Sequence, residues 1–220
     1  MDLARPARTG TSTPLEKTRK LSKRQLEIRL SKLSTSIPDP NILLEQYPVS
    51  TEVAAELLYM AGFEHDDIQD RNILDLGTGT GRLAIGAALL GAKTVVGIDL
   101  DAESIRLGKE NAARSDVLVN WQIGRIEDVS DTYDTVLMNP PYGTRVEHAD
   151  TIFLDKAFES APIVYTIHKS STRPFVSKYV EKHDRRVDSI RKVDLRIPYI
   201  YNFHRKRWSV VQVDIFRIVR

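Results

Sequence analysis

The chain has 220 residues, of which 41% are apolar, and its 32 Lys and Arg against 30 Asp and Glu give a formal net charge of +2. This length and composition predict one α/β domain with a single sizeable core. The lack of cysteine excludes disulfides and thiolate metal sites, and the five histidines have no metal-ligand spacing, so we predict no bound metal. No apolar run approaches the roughly 18 residues of a membrane helix and no signal-like segment begins the chain, which predicts a cytoplasmic protein.

The N-terminal region is basic. Residues 1–15, rich in Thr, Ser and Pro, predict a disordered tail, and residues 16–220 predict one catalytic domain that begins with a basic helical extension over 16–50. A helix is predicted over residues 18–33, with Leu26, Leu30 and Leu33 facing inward. Five cations cluster at the start of this predicted helix and just before it: Lys17, Arg19, Lys20, Lys23 and Arg24.

Charge is distributed unevenly along the chain. Residues 1–50 carry nine Lys or Arg against five acids, residues 51–150 carry eight against eighteen, and residues 151–220 carry fifteen against seven. Basic ends around an acidic centre are typical of a phosphate-binding rim around a pocket for a cation. Scattered solvated charges would give a similar count, so the pattern alone leaves both readings open.

A glycine-rich turn follows the first predicted strand, residues 72–76. The glycines fall at 77, 79 and 81, a G-x-G-x-G spacing that differs from the G-x-G-x-x-G fingerprint of dinucleotide enzymes. Apolar residues then recur with helical spacing, so the turn lies between a strand and a helix N-terminus. The strand contains Asp75, whose carboxylate suits an amino-acid cation better than a pyrophosphate. Nicotinamide chemistry is therefore disfavoured.

The second predicted strand, residues 94–98, runs into Asp99, twenty-two residues after Gly77. An acid at this distance is placed to accept hydrogen bonds from both hydroxyls of a ribose. Leu100 can pack on an adenine ring. Asp99 could also cap the predicted helix over residues 102–114, but Asp101 is the better cap.

A third signal is Asn139-Pro140-Pro141-Tyr142, which follows the buried run over residues 135–138. The two prolines fix the backbone and remove two donors, leaving the carbonyls of Asn139 and Pro140 as acceptors. The Asn139 amide oxygen is another acceptor, and the Tyr142 ring is a stacking surface. These groups suit an exocyclic amine such as that of a flipped adenine, although an isolated Pro-Pro more often merely ends a strand.

Together these three elements resemble a class I S-adenosylmethionine-dependent methyltransferase that acts on amines. The match extends from Leu43 to the C-terminus, and its motifs are similar to those of the methyltransferase-like protein five family, archaeal and eukaryotic N6-adenine methyltransferases of small-subunit ribosomal RNA. The further motifs are Leu44-Glu-Gln-Tyr-Pro48, His168-Lys-Ser-Ser-Thr-Arg173 and Tyr201-Asn-Phe-His-Arg-Lys206.

The resemblance implies a Rossmann-like fold with a seven-stranded, mostly parallel sheet in the order 3-2-1-4-5-7-6, an antiparallel last strand and helices on both faces. It also assigns roles to residues. The catalytic residues are Asn139, Pro140, Pro141 and Tyr142. The S-adenosylmethionine contacts are Gln46, Asp75, Gly77, Gly79, Thr80, Gly81, Arg82, Asp99, Leu100, Ile126 and Asn139. The RNA contacts are His168, Lys169, Arg173, His204, Arg205 and Lys206.

Two positions depart from the family pattern. Val49 stands where the family usually has a Thr that contacts the cofactor, and Arg125 stands where an acid usually faces the cofactor adenine. The resemblance also implies a partner, a small zinc-binding activator subunit that adds a strand to the sheet.

The remaining strands are predicted over residues 119–123, 133–138, 163–167, 187–197 and 209–218, and further helices over 150–160 and 172–181. In the last strand, Val211, Val213 and Ile215 alternate with Gln212 and Asp214. No G-x-S-x-G elbow accompanies His168, which disfavours a hydrolase.

Three alternatives to an RNA methyltransferase stay open. The N-P-P-Y motif also occurs in glutamine N5-methyltransferases of release factors and in DNA adenine methyltransferases. A non-catalytic ribosome-binding factor with a vestigial pocket is the third.

Overall fold

The computed structural model describes residues 21–35, 49–141, 149–198 and 208–220. These residues form a seven-stranded sheet in the order β3-β2-β1-β4-β5-β7-β6. The strands are β1 (Asn72–Leu76), β2 (Thr94–Asp99), β3 (Asn120–Ile123), β4 (Thr135–Met138), β5 (Ile163–Lys169), β6 (Arg186–Pro198) and β7 (Trp208–Val219). Strand β7 runs antiparallel to both β5 and β6, and the other neighbouring strands are parallel. The predicted fold class and strand order are thus confirmed.

Helices cover both faces of the sheet. They are α1 (Lys23–Ser31), α2 (Thr51–Tyr59), α3 (Arg82–Leu89), α4 (Ala102–Arg114), α5 (Ala149–Ser160) and α6 (Arg173–Lys182). A π-helical turn, Met60–Glu64, continues α2, and short 3₁₀ turns cover Ile126–Asp128 and Ser170–Thr172. Within the described ranges, no helix has both the length and the apolar character needed to cross a bilayer.

The core has two apolar layers, one on each side of the sheet. Residues of α1, α2 and α3 pack with Ile73 of β1 and Leu137 of β4 on one face. Residues of α5 and α6 pack with Leu74 of β1 and Met138 of β4 on the other. Neighbouring residues along a strand point to opposite faces, so strands covered on both faces are apolar at nearly every position.

The N-terminal extension differs from the prediction at two places. Helix α1 begins at Lys23, because Ser22 caps it in a reciprocal capping box with Gln25, and residues 18–20 of the predicted helix lie outside the described residues. Its inward face is as predicted, with Leu26 and Leu30 fully buried. Helix α2 was not predicted. It is capped by Ser50 and buries five side chains, so it forms part of the domain core.

The C-terminal strand contains a buried acid. Asp214 alternates with apolar residues along β7, and it is fully buried. The successive residues Val213 to Phe216 are all buried, so both faces of β7 are covered here and a polar residue needs a partner inside the protein. The predicted disordered tail, residues 1–15, lies outside the described residues.

Candidate cofactor and target site

The carboxyl ends of β1, β2 and β4 bring three predicted site residues to one level of the sheet. Leu76 is paired with Ile98 on one side and with Met138 on the other. The next residue on each strand, Gly77, Asp99 and Asn139, therefore lies at the same edge. Neighbouring strands are about 4.8 Å apart, so Asp99 and Asn139 flank the glycine turn at roughly 10 Å from each other.

The glycine turn keeps its backbone open to a ligand. Gly79 has a φ of 53°, and a Cβ added there would meet no atom within 4 Å. Any side chain would therefore be strained and would project into the space beside the loop. Gly81 has a φ of 85°, and here no space is open: a Cβ would collide with the Trp121 ring.

Asp75 organises this turn from inside the protein. It is 1% exposed, and its Oδ2 accepts hydrogen bonds from Thr78 Oγ1 at 2.6 Å and from the Ala84 amide at 2.9 Å. Burial raises the pKa of Asp75 to about 7, although these two donors oppose the shift. The sequence suggested that Asp75 faces an amino-acid cation; in the structure this carboxyl joins the loop to the first turn of α3.

Asp99 holds the opposite side of the turn. Its Oδ2 accepts a hydrogen bond from the Gly79 amide at 2.8 Å, and its Oδ1 accepts one from the Asp101 amide at 2.9 Å. Asp101 caps α4, as predicted, by accepting from the amides of Glu103 and Ser104. Burial raises the pKa of Asp99, with the backbone donors opposing the shift. A carboxylate has about four acceptor positions, so Asp99 can still accept a hydrogen bond from a ligand.

The electrostatics of this edge favour a cationic ligand. The ionised forms of Asp75 and Asp99 both make the electrostatic potential at this edge more negative. Neither residue forms an ion pair with any residue in the described ranges. Leu100, next to Asp99, is 57% exposed and offers an apolar surface. The open backbone at Gly79, the two carboxylates and this apolar surface fit S-adenosylmethionine, which combines a sulfonium and an ammonium with a ribose and an adenine.

Two buried polar side chains tie the N-terminal extension to the glycine turn. Asn111 of α4 is fully buried; its Nδ2 donates to the carbonyls of Ser34 at 2.8 Å and Thr80 at 3.0 Å, and its Oδ1 accepts from the Ser34 amide at 2.9 Å. Arg82, at the start of α3, donates through Nη1 to the carbonyl of Val49. Arg82 is 9% exposed, so its predicted cofactor role is accompanied by a structural one.

Sequence reasoning missed Asn111. The signal was its place on the inward face of α4, three residues after Gly108 and seven after Ser104, both of which are buried. A polar amide on such a face must find buried partners. The described residues supply them from two segments far apart in the chain.

The target side of the site lies at the end of β4. Asn139 is half-buried, Pro140 is buried and Pro141 is half-buried. Strand β4 is central, with β1 on one side and β5 on the other, so the strand end is fixed by neighbours on both sides. Tyr142 and Gln46 lie outside the described residues.

The region after β3 shows what replaces the usual acid. Ile126 is 8% exposed and packs in the apolar layer with Ile98. Arg125 points outward and pairs with Glu127 at 2.9 Å, while the Arg125 amide donates to Asp128 Oδ2 at 3.3 Å. Arg125 is thus a solvent-facing cation at the rim.

The motif after β5 is mainly structural. His168 is 3% exposed, its Nε2 lies 2.9 Å from Thr166 Oγ1, and burial lowers its pKa to about 4. Arg173 binds the buried Asp214 with Nε at 2.6 Å and Nη2 at 2.8 Å, and Ser170 Oγ donates to the same carboxylate at 2.7 Å. A buried neutral imidazole does not fit the RNA contact expected of His168, and the Arg173 guanidinium is engaged by Asp214. Lys169 is half-buried. The other expected RNA contacts, His204, Arg205 and Lys206, lie outside the described residues.

Comparison with known proteins places this arrangement in a family. An uncharacterized protein of Methanocaldococcus jannaschii is 42% identical over 90% of this chain and 94% of its own length. The rRNA N6-adenosine-methyltransferase METTL5 of Danio rerio is 36% identical over 81% of this chain and 90% of its own length. The chain belongs to the METTL5 family.

Solved structures agree with membership of the METTL5 family. A candidate RNA methyltransferase from Pyrococcus horikoshii, 37% identical, superposes with a TM-score of 0.81 over 90% of this chain and 96% of its own. A Thermoplasma acidophilum protein, 33% identical, gives a TM-score of 0.73 over 90% of this chain and 97% of its own. The protein is therefore a class I methyltransferase, and its cofactor is S-adenosylmethionine.

Other methyltransferases match a smaller part of this METTL5-family chain. The family model described as ribosomal protein L11 methyltransferase matches residues 54–140. That segment runs from α2 through the glycine turn, Asp99 and the end of β4. It thus holds the shared cofactor region and leaves out the α5 to β7 half of the domain.

Proposed function

We propose that this protein transfers a methyl group from S-adenosylmethionine to the N6 amine of an adenine in small-subunit ribosomal RNA. The observation that carries the proposal is the position of Asn139, at the end of the central strand β4 and level with the glycine turn and Asp99. An amine held at Asn139 would lie beside a cofactor held between Asp99 and the glycine turn. Relatives named as rRNA N6-adenosine-methyltransferases match about four-fifths of the chain.

The residues at the end of β4 would orient the amine. Adenine N6 is a poor nucleophile because its lone pair is delocalised into the ring. Hydrogen bonds from N6–H to the Asn139 side chain and the Pro140 carbonyl would favour the pyramidal form and stabilise the positive charge that develops on nitrogen. When bound, S-adenosylmethionine supplies the activated methyl group. Holding the amine in line with that group is then the main task of the protein, and the proton can leave to water. Tyr142 stays the predicted stacking surface for the flipped base.

We propose the cofactor contacts from the geometry at the ends of β1 and β2, on the other side of the site from the target amine. Asp99 would accept hydrogen bonds from the ribose hydroxyls, and Leu100 and Ile126 would border the adenine. Gly77, Gly79, Thr80 and Gly81 would let the backbone approach the methionine part, with Gln46 above it. Asp75 and Arg82 would shape this turn from inside, because both are buried and bonded to neighbouring segments.

The choice of RNA over protein rests on how much of the chain its relatives match. A protein named as an N5-glutamine methyltransferase candidate matches 34% of this chain, and an L11 methyltransferase of Aquifex aeolicus matches 30%. A match over 81% of 220 residues is longer than residues 1–150, so the relative named for rRNA also matches part of the basic C-terminal third, residues 151–220, which carries fifteen Lys or Arg against seven acids. Such charge suits an RNA backbone. A cytoplasmic location stays a prediction that follows from a ribosomal substrate.

Labelled S-adenosylmethionine tests the proposal. The purified protein is incubated with unmethylated small-subunit RNA, release factor or duplex DNA, and the labelled product is digested to identify the modified residue. We expect N6-methyladenosine at an RNA site. Asn139→Ala should lower the rate by about 10²- to 10³-fold, the usual effect of losing one group that stabilises developing charge, while calorimetry shows S-adenosylmethionine affinity near normal.

Asn120→Ala, an exposed amide on β3, is the matched control and should retain the wild-type rate. Full turnover by Asn139→Ala on the labelled RNA would disprove the mechanism. Label in release factor would instead assign the enzyme to glutamine amides. Label in DNA would assign it to DNA adenine. Cofactor binding without label anywhere would point to a missing subunit or an assembled ribosomal substrate, and no cofactor binding would favour the ribosome-binding factor.

A small zinc-binding activator subunit remains part of the proposal. Strand β3 is an edge strand of the sheet, and Ile123 at its end and Leu118 just before it are 58% and 93% exposed. An exposed edge with apolar residues is suited to strand addition by a partner.

A further inference from the structure

A cavity of about 280 Å³ lies between the last turns of α1 and α4. It is separate from the cofactor turn, although one residue borders both. Its lining residues are Arg29, Lys32, Leu33, Asn111, Arg114 and Ser115. Three of the six are permanent or near-permanent cations, and no carboxylate lines the cavity among the residues that the structure describes.

The cations around this cavity are poorly compensated. Arg29 and Lys32 are exposed and form no ion pair with a described residue. Arg114 has one ion pair, with Glu110 at 3.4 Å, in which both side chains are largely exposed. Such a pair contributes little free energy, so the guanidinium can turn to a better anion.

Other cations of the same helices are used differently. Lys23 of α1 pairs with Glu56 of α2, and Arg106 of α4 pairs with both Glu103 and Glu110. The helix dipole accounts for a cation in the last turn of each helix taken singly. Lys32, the third cation, follows the last turn of α1, and no acid among the described lining residues balances the three.

The chemistry of the cavity matches a phosphate. Two guanidinium groups can each donate a pair of hydrogen bonds to phosphate oxygens, Lys32 adds an ammonium, and Ser115 adds a hydroxyl donor. Asn111 forms the floor, and its amide also donates to the Thr80 carbonyl in the glycine turn. The cavity therefore lies beside the cofactor turn, on the side of the sheet that carries β2 and β3.

We propose that this cavity binds a backbone phosphate of the substrate RNA. The proposal rests on the proposed function and deepens it by giving the RNA a second contact away from the target adenine. Asn111 connects the cavity to the glycine turn, and that turn follows β1, the strand next to β4, so a short RNA segment can span the cavity and Asn139. A phosphate bound here would fix the position of the strand that delivers its adenine to Asn139.

RNA binding by charge-removed variants tests the proposal. The full chain carrying Arg29→Gln, Lys32→Gln and Arg114→Gln is titrated with labelled single-stranded small-subunit RNA over a range of salt concentrations. The matched control carries Arg71→Gln, Lys93→Gln and Arg220→Gln, which also removes two guanidinium groups and one ammonium, from exposed positions that do not line the cavity.

We expect the cavity variant to bind RNA about tenfold more weakly near 0.1 M salt, with the slope of log K against log salt reduced by about 0.7 for one lost phosphate contact. The control should lose less than about twofold, since long-range charge is largely screened at that salt concentration. Both should keep the wild-type melting temperature and S-adenosylmethionine affinity. Inorganic phosphate should weaken RNA binding by the wild type more than by the cavity variant.

Equal losses in the two variants would show an effect of net charge and overturn the proposal, as would no loss in either. Wild-type methylation of RNA with unchanged binding by the cavity variant would leave the proposed function standing and disprove only the phosphate site. If the wild type neither binds nor methylates RNA, the phosphate site and the proposed function are both disproved.

Discussion

Buried carboxylates at the two edges of the sheet have different partners. At the amino edge, where the parallel strands begin, Asp67 Oδ2 pairs with Arg217 Nε at 2.8 Å and accepts a hydrogen bond from the Tyr165 hydroxyl at 2.7 Å. At the carboxyl edge, Asp75 and Asp99 are bonded by backbone amides and a threonine hydroxyl, and no described cation pairs with either.

The difference separates a structural cluster from a binding site. A carboxylate neutralised by an arginine inside the same domain is already compensated and stabilises one arrangement of the chain. Two carboxylates without a cation keep a negative potential at an edge that is open to a ligand, and burial raises the pKa of each. Perturbed pKa values without an internal counter-charge are typical of functional sites.

The largest effect is expected at the amino edge. Arg217→Met leaves Asp67 and Asp188 without their shared cation, and the free energy of unfolding should fall by about 3–5 kcal/mol because Asp67 stays buried. Denaturant unfolding measures this loss. Arg186→Met is the control, since Arg186 also pairs with Asp188 but is 68% exposed, and it should cost under about 1 kcal/mol. Equal losses would mean that burial does not distinguish the two pairs.

A smaller effect, on ligand affinity, is expected at the carboxyl edge. Asp99→Ala removes the proposed acceptor for the ribose hydroxyls, and S-adenosylmethionine should bind about ten- to a hundredfold more weakly by calorimetry, corresponding to about 1.5–3 kcal/mol for hydrogen bonds to a charged group. Asp101→Ala removes the same charge two residues away. It should lower stability through loss of the α4 cap and leave affinity within about twofold. Comparable weakening in both variants would reject the ribose assignment.

The smallest effect is a pH dependence of cofactor binding. Because burial raises the pKa of Asp75 to about 7, its carboxyl is mostly neutral below that pH and mostly charged above it. Only the charged form attracts a sulfonium, so affinity for S-adenosylmethionine should rise by at most about tenfold between about pH 6 and pH 8. Asp75→Asn cannot titrate and supplies the reference curve. Parallel curves for wild type and variant would assign the dependence to another group.

The local sequence determined the strands, the glycine turn and the end of β4 at Asn139-Pro140-Pro141. Glycines at 77, 79 and 81 and the residues of 139–141 act through their own backbone preferences, which do not depend on distant contacts. The apolar runs gave most strand boundaries within two residues, since strands covered on both faces are apolar at successive positions.

Partners far apart in the chain were decided only by the tertiary structure. The partners of the buried Asp214 are Arg173 at the start of α6 and Ser170 in the preceding 3₁₀ turn, both about forty residues away in sequence. His168 was expected to contact RNA, and in the fold it is a buried residue of β5. Asn111 joins Ser34 and Thr80 across 77 and 31 residues of sequence. A side chain's burial and hydrogen bonds depend on which segments pack around it, and local patterns carry no information about that packing.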